Sequence, residues 1–191
     1  MKVLGIDQSL AKCAFVQLVD GKPVNTFLSK TGADTVKIKR KDTLYFKTLQ
    51  EQIHNICQDL VHQVISFQPD MIVFESLSYG SVGNASRNLA ELHGAMREVL
   101  FMHSMDDIIK EVAPTALKSY AHSFLPEDKK WDGLTAAKTP RKTKMDKKLV
   151  VEAVRQIYGE DYLKGYNYSS GLDDLADATF LAHKVWSQSV S

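Results

Sequence analysis

Leu4-Gly5-Ile6-Asp7-Gln8-Ser9 is an apolar run, begun by Val3, that climbs to a single carboxylate near the start of the chain. A second β-like run follows at Ala14-Phe15-Val16-Gln17-Leu18-Val19. Strands this apolar are buried, and an unpaired charge among them is expensive. Asp7 therefore needs a partner, and a metal ion suits a lone carboxylate at the working end of a strand. The plainer reading is that Asp7 caps a turn before Ser9. The choice turns on whether acids further along the chain reach the same place.

Working outward, residues 2–8 and 13–19 read as two strands. The turn Asp20-Gly21-Lys22-Pro23 leads to a third at 24–29, an antiparallel meander. Residues 31–42, with Gly32 and a basic cluster, read as a loop or polar extension. Thr43 is a candidate N-cap for a long helix striped by Leu49, Ile53, Ile56, Leu60, Val64 and Phe67. His54 and His62 on that helix have no ligand-spaced partner and are read as surface residues. Pro69-Asp70 ends it and introduces Met71-Ile72-Val73-Phe74-Glu75, a short apolar strand that again stops at a carboxylate. Strand, crossover helix and strand imply parallel pairing in a covered sheet. That pairing sets Asp7 and Glu75 side by side at the carboxyl ends, the edge where open α/β sheets hold ligands.

Downstream, Leu89, Leu92, Met96, Val99 and Leu100 mark a second helix starting near Asn84 or Ser86, and residues 108–112 a last strand. Pro114 opens a short helix through Lys118 and Tyr120. The polar, basic stretch 126–143 reads as a mobile loop. Leu149 to Ile157 forms another helix. The final helix, from Leu172, carries Asp173, Asp174 and Asp177; the pairs 174/177 and 173/177 each share a face. The helix dipole accounts for acids in a first turn but less well for Asp177, one turn in. His183 lies on another face and is read as an exposed or capping histidine.

The 191 residues fit one domain, and 44% hydrophobic and 25% charged residues are ordinary for a soluble globular protein. No leader pattern and no apolar run of about 20 residues is present, and Cys13 and Cys57 read as reduced core thiols. A cytoplasmic protein with no membrane partner is expected. The net charge of +1 does not mark a nucleic-acid binder, but its distribution is segregated. Lys37, Lys39, Arg40, Lys41 and Lys47 form one basic cluster, residues 129–148 another, while acids gather at 160–177. Basic flanks around an acidic, cation-loaded centre suit a polyanion; solvated surface is the bland alternative. Carboxylates without Cys or His partners favour Mg²⁺ or Mn²⁺. Two such ions about 4 Å apart hydrolyse phosphodiesters by in-line displacement.

Taken together, Gly5-Ile6-Asp7, Phe67-Gln68-Pro69-Asp70 leading to Phe74-Glu75, and Asp174-Leu175-Ala176-Asp177-Ala178 resemble the RuvC-type Holliday junction resolvases of the RNase H-like superfamily. The last motif matches the family's Asp-x-x-Asp-Ala pattern and selects Asp174 over Asp173. The resemblance implies an RNase H-like α/β fold. Its mixed five-stranded sheet would join a three-strand antiparallel meander to two parallel strands, with helices on both faces. It implies metal ligands at Asp7, Glu75, Asp174 and Asp177, and two Mg²⁺ or Mn²⁺ ions. Lys118 matches a basic active-site position, and Lys144 matches another. It also implies a homodimer that nicks four-way DNA junctions symmetrically, with Tyr79, Arg87, Lys118, Arg141, Lys142 and Lys144 as DNA contacts.

The chain departs from the pattern in places. Gln8-Ser9 stands where the family has Pro-Gly, and Ser78 where it has an aromatic residue; Tyr79, adjacent, can stack on a base. The segment 126–143 is longer than the family's. An actin-like sugar kinase would need a second domain and phosphate loops for which this chain has no room. An RNase H-like nuclease acting on other branched or single-stranded nucleic acid shares the chemistry. A non-catalytic junction-binding protein would gain nothing from repelling carboxylates near phosphates.

Overall fold

The structure is a computed structural model and describes residues 1–77 and 83–190. β1 (Lys2–Asp7), β2 (Lys12–Val19) and β3 (Lys22–Ala33) form the expected antiparallel meander. Asp20 and Gly21 turn β2 into β3 with φ of 48° and 75°. α1 (Leu49–Phe67) crosses over to β5 (Met71–Glu75), which pairs in parallel with β1, Ile6 opposite Phe74. After α2 (Asn84–Met102) and a single 3-10 turn, β6 (Ile109–Val112) pairs in parallel with β5. A short strand not foreseen from the sequence, β4 (Leu44–Phe46), adds in parallel to β3, so the mixed sheet has six strands in the order β4-β3-β2-β1-β5-β6.

Two layers of helix cover this sheet, and side-chain alternation divides the buried residues of the inner strands between them. Leu4, Ile6, Phe15, Ile72 and Phe74 face α1 and α2, in a core with Ile56, Leu60, Leu92 and Met96. Val3, Val16, Leu18 and Val73 face α3 (Pro114–Ser123), α5 (Lys147–Tyr158) and α6 (Leu172–Ser189), in a core with Leu175, Phe180 and Leu181. Residues of one parity share a face, so Asp7 and Glu75, two beyond Gly5 and Val73, belong to the α6 side.

Three boundaries differ from expectation for identifiable reasons. The cap of α1 is Thr48, not Thr43: Thr48 accepts the Glu51 N–H at 3.2 Å, and the Glu51 carboxylate accepts the Thr48 N–H at 3.1 Å. This reciprocal capping box satisfies two end donors that Thr43 could not reach. Residues 126–143 build α4 (Glu127–Lys130) and a hairpin of β7 (Trp131–Leu134) with β8 (Pro140–Lys142). Arg141 closes the hairpin on Asp132, Nε to the carbonyl at 2.8 Å and the guanidinium to the carboxylate at 2.9 Å. His183 is buried, not exposed or capping, beside the Tyr120 hydroxyl at 2.8 Å. Cys13 and Cys57 are buried and unpaired, as expected, and among the described residues no helix is long and apolar enough to cross a membrane.

Candidate active site

Gly5 fixes the geometry of the site. A Cβ there would overlap the Ala178 carbonyl oxygen and come within 2.9 Å of the Ala182 Cβ, so the α6 backbone rests directly on β1. Such contact is possible only at glycine. It brings the first turns of α6, with Asp173, Asp174 and Asp177, against the end of β1 where Asp7 stands. Parallel pairing of β1 and β5 adds Glu75 from the other side. The Gln8 side chain donates to the Glu75 carbonyl and so joins the two strand ends.

The acids act on one another's charge. The Asp7 carboxyl is pushed well above the usual range, first by desolvation and then by the charges of Asp177, Glu75, Asp174 and Asp173. Asp177 is pushed up to about 7, again by burial first, then by Glu75, Asp173 and Asp174. Burial raises Glu75, against the pull of the Lys118 ammonium, and raises Asp174 together with the charge of Asp173. These four acids repel one another in a partly dry pocket.

Two lysines offset the repulsion, and neither was singled out from sequence. Lys147, at the start of α5, pairs with the buried Asp173 carboxylate. Lys12, at the start of β2, lies 3.6 Å from Asp174 Oδ2 and donates to the Tyr168 carbonyl at 3.0 Å. Both were legible in principle. Lys12 has the parity of Ala14, which pairs with Asp7, and Lys147 lies three and four residues before the buried Val150 and Val151. Asp173 is thus buried and engaged by Lys147, while Asp174 stays half-buried beside Lys12.

The remaining candidates lie as follows. Lys118 is exposed and shares a pocket of about 240 Å³ with His122, Lys142 and Lys144, joining the acid edge to the hairpin base. Arg141 is exposed on the hairpin and held by Asp132. Arg87 is exposed in the first turn of α2, and among the described residues no contact links it to the acids. Tyr79 lies outside the described residues.

The donor set fits a hard divalent cation. All the donors are carboxylate oxygens, and Asp173 Oδ1 and Asp174 Oδ2 are buried without a hydrogen-bond partner. The fit is one of chemistry and not of spacing: among the described residues, no group of three or more His, Cys, Asp or Glu stands close enough to hold a metal ion.

A pH test follows. A carboxyl with a raised folded pKa binds its proton more tightly in the folded chain, so metal-free stability falls as pH rises from about 4 to about 7. Asp177→Asn is therefore expected to raise the metal-free melting temperature at pH 8 by several degrees, and by less at pH 5.5. A lower melting temperature at pH 8 would contradict the repulsion. Thermal melts in EDTA at the two pH values make the comparison.

No family model matches the chain, and no curated protein matches it. Solved structures do. Thermus thermophilus RuvC in complex with a Holliday junction substrate superposes with a TM-score of 0.64 at 15% identity, over 100% of this chain and 96% of that one. A second Thermus thermophilus RuvC structure gives 0.64 at 16%, with the same coverage. The yeast mitochondrial Holliday junction resolvase gives 0.62 at 15%, over 97% of this chain and 78% of that one. The chain has the RNase H-like α/β fold of the RuvC-type resolvases.

Proposed function

We infer that this protein is a divalent-metal-dependent endonuclease that resolves four-way DNA junctions. The reading is supported by Asp7 and Glu75 at neighbouring strand ends and by Asp174 and Asp177 on the helix that rests on β1, on a fold shared with proteins solved as junction resolvases. Asp7, Glu75, Asp174 and Asp177 would hold Mg²⁺ or Mn²⁺, two ions per site. When bound, the metal activates water and neutralises charge on the leaving oxygen of a phosphodiester. Lys118, whose charge acts on Glu75, and Lys147, paired with Asp173, would attract the phosphate and stabilise its added charge. Lys142 and Lys144 extend the positive surface toward the hairpin, and Arg141 carries it along β8. Tyr79 and Arg87 are assigned to the junction from the sequence resemblance alone.

A homodimer would supply two such sites for symmetric nicks on a two-fold substrate. Phe101 and Met102, 62% and 73% exposed at the end of α2, offer apolar surface for the pairing. All four acids are kept, which favours catalysis over simple junction binding.

Cleavage of a mobile four-way junction, a fork and a plain duplex, each with Mg²⁺, Mn²⁺ or EDTA, tests the reading. Metal-dependent paired nicks in the junction are expected. Preferential cutting of the fork would move the substrate to other branched DNA, and no cutting of any of them would end the nuclease reading. The hairpin has its own test. Replacing Lys138, Arg141 and Lys142 with Gln is expected to lower the salt slope of junction binding by up to about 0.9 per lost phosphate contact. An unchanged slope would leave the hairpin as solvated surface.

A further inference from the structure

The first basic cluster has no part in the chemistry above, yet one of its members, Arg40, joins Lys12 and Lys30 in a cleft next to the acids. β3 runs on to Ala33, and the chain loops through residues 34–43 before returning as β4. Between this excursion and the start of β2 lies a cleft of about 410 Å³. Lys12, Lys30 and Arg40 supply its positive charge, and Thr43, Tyr45 and Ser169 line it further. Its side chains are held in place. Arg40 donates to the Ser169 carbonyl at 3.1 Å, and its own N–H donates to the Tyr45 hydroxyl at 2.6 Å. Lys30 pairs with Asp42 at 2.6 Å, with the lysine 17% and the aspartate 60% exposed. Lys12 belongs to both places: it lines the cleft and lies 3.6 Å from Asp174.

We propose that this cleft binds a backbone phosphate of the nucleic-acid strand next to the one cleaved, using Lys12, Lys30 and Arg40. The proposal rests on the nuclease reading for its ligand. Three cations face Asp42 here, with Lys12 shared with Asp174, so the cleft is still net positive and suits an anionic diester. Asp42 is the residue the phosphate displaces: already exposed, it swings to solvent and releases Lys30. Val36 and Ile38, 42% and 87% exposed, give the adjoining sugar or base apolar contact. With the Lys118–Lys144 surface on the other side of the acids, the cleft gives the strand a second positive flank.

Junction binding across a salt series, with wild type, Lys30→Gln, Arg40→Gln, Arg40→Lys and Asp42→Asn, tests the cleft. Each Gln variant is expected to bind about 3- to 10-fold more weakly at 0.1 M salt and to lose about 0.7–0.9 from the salt slope. Arg40→Lys keeps the slope, which separates lost charge from a loosened loop. Asp42→Asn is expected to bind about 3- to 10-fold more tightly, because the phosphate no longer competes with a carboxylate. Slopes equal to wild type in both Gln variants would overturn the proposal.

A second arm keeps its failure distinct from that of the nuclease reading. A 5′-phosphorylated dithymidylate is titrated into isotope-labelled full-length protein. Saturable amide shifts are expected at Gly32 and Tyr45 in wild type, and none in Arg40→Gln. If wild type binds no junction DNA, the nuclease reading falls and these shifts alone decide the cleft; their absence would overturn it.

Discussion

Asp7→Asn is expected to lower junction cleavage at least 10³-fold while leaving junction affinity unchanged or tighter. The substitution removes the charge that both strand pairing and α6 packing bring to the centre of the acid cluster. A thousandfold loss is about 4 kcal/mol of transition-state stabilisation, within reach of one charge aimed at a reacting phosphate. Binding responds in the opposite direction because Asp7 is one of several carboxylates facing a polyanion. Removing it lowers repulsion and leaves Lys118, Lys142 and Lys144 in place. A cleavage assay beside a gel shift reads both halves, and a fully active variant would end the metal-ligand role.

Gly5→Ala is the larger structural effect. The added methyl would meet the Ala178 carbonyl oxygen, which is backbone and cannot rotate aside, and crowd the Ala182 Cβ at 2.9 Å and backbone nitrogen at 3.0 Å. Overpacking a core costs about 1–3 kcal/mol, and more where backbone must move. A loss of at least 3 kcal/mol is expected in urea unfolding. Because α6 carries Asp174 and Asp177, the surviving folded fraction is expected to lose activity too, its acids having shifted relative to Asp7. A stable and active Gly5→Ala would mean that α6 does not rest on β1 as described.

Much of this was legible from local pattern. The apolar runs ending in Asp7 and Glu75, with a crossover helix between them, fix parallel pairing and therefore the shared edge. The 3–4 spacing of Ile53, Ile56, Leu60 and Val64 gave α1 its buried face. The missed features depend on long-range contact. β4 is too short to show a period, and it exists because the excursion after β3 folds back along it. The sequence resemblance named Lys144, which lies in the Lys118 pocket; the contact of Lys147 with Asp173 joins residues 26 apart. Burial of His183 depends on Tyr120, 63 residues away, which no window on the final helix contains.

The central point, four carboxylates from both ends of the chain loading cations in one place, is reached most directly by crystals grown or soaked with Mn²⁺. Anomalous difference density among Asp7, Glu75, Asp174 and Asp177 is the expected result, lost in Asp7→Asn. Saturating Mn²⁺ that leaves this edge without density, or that binds only elsewhere on the chain, would contradict it.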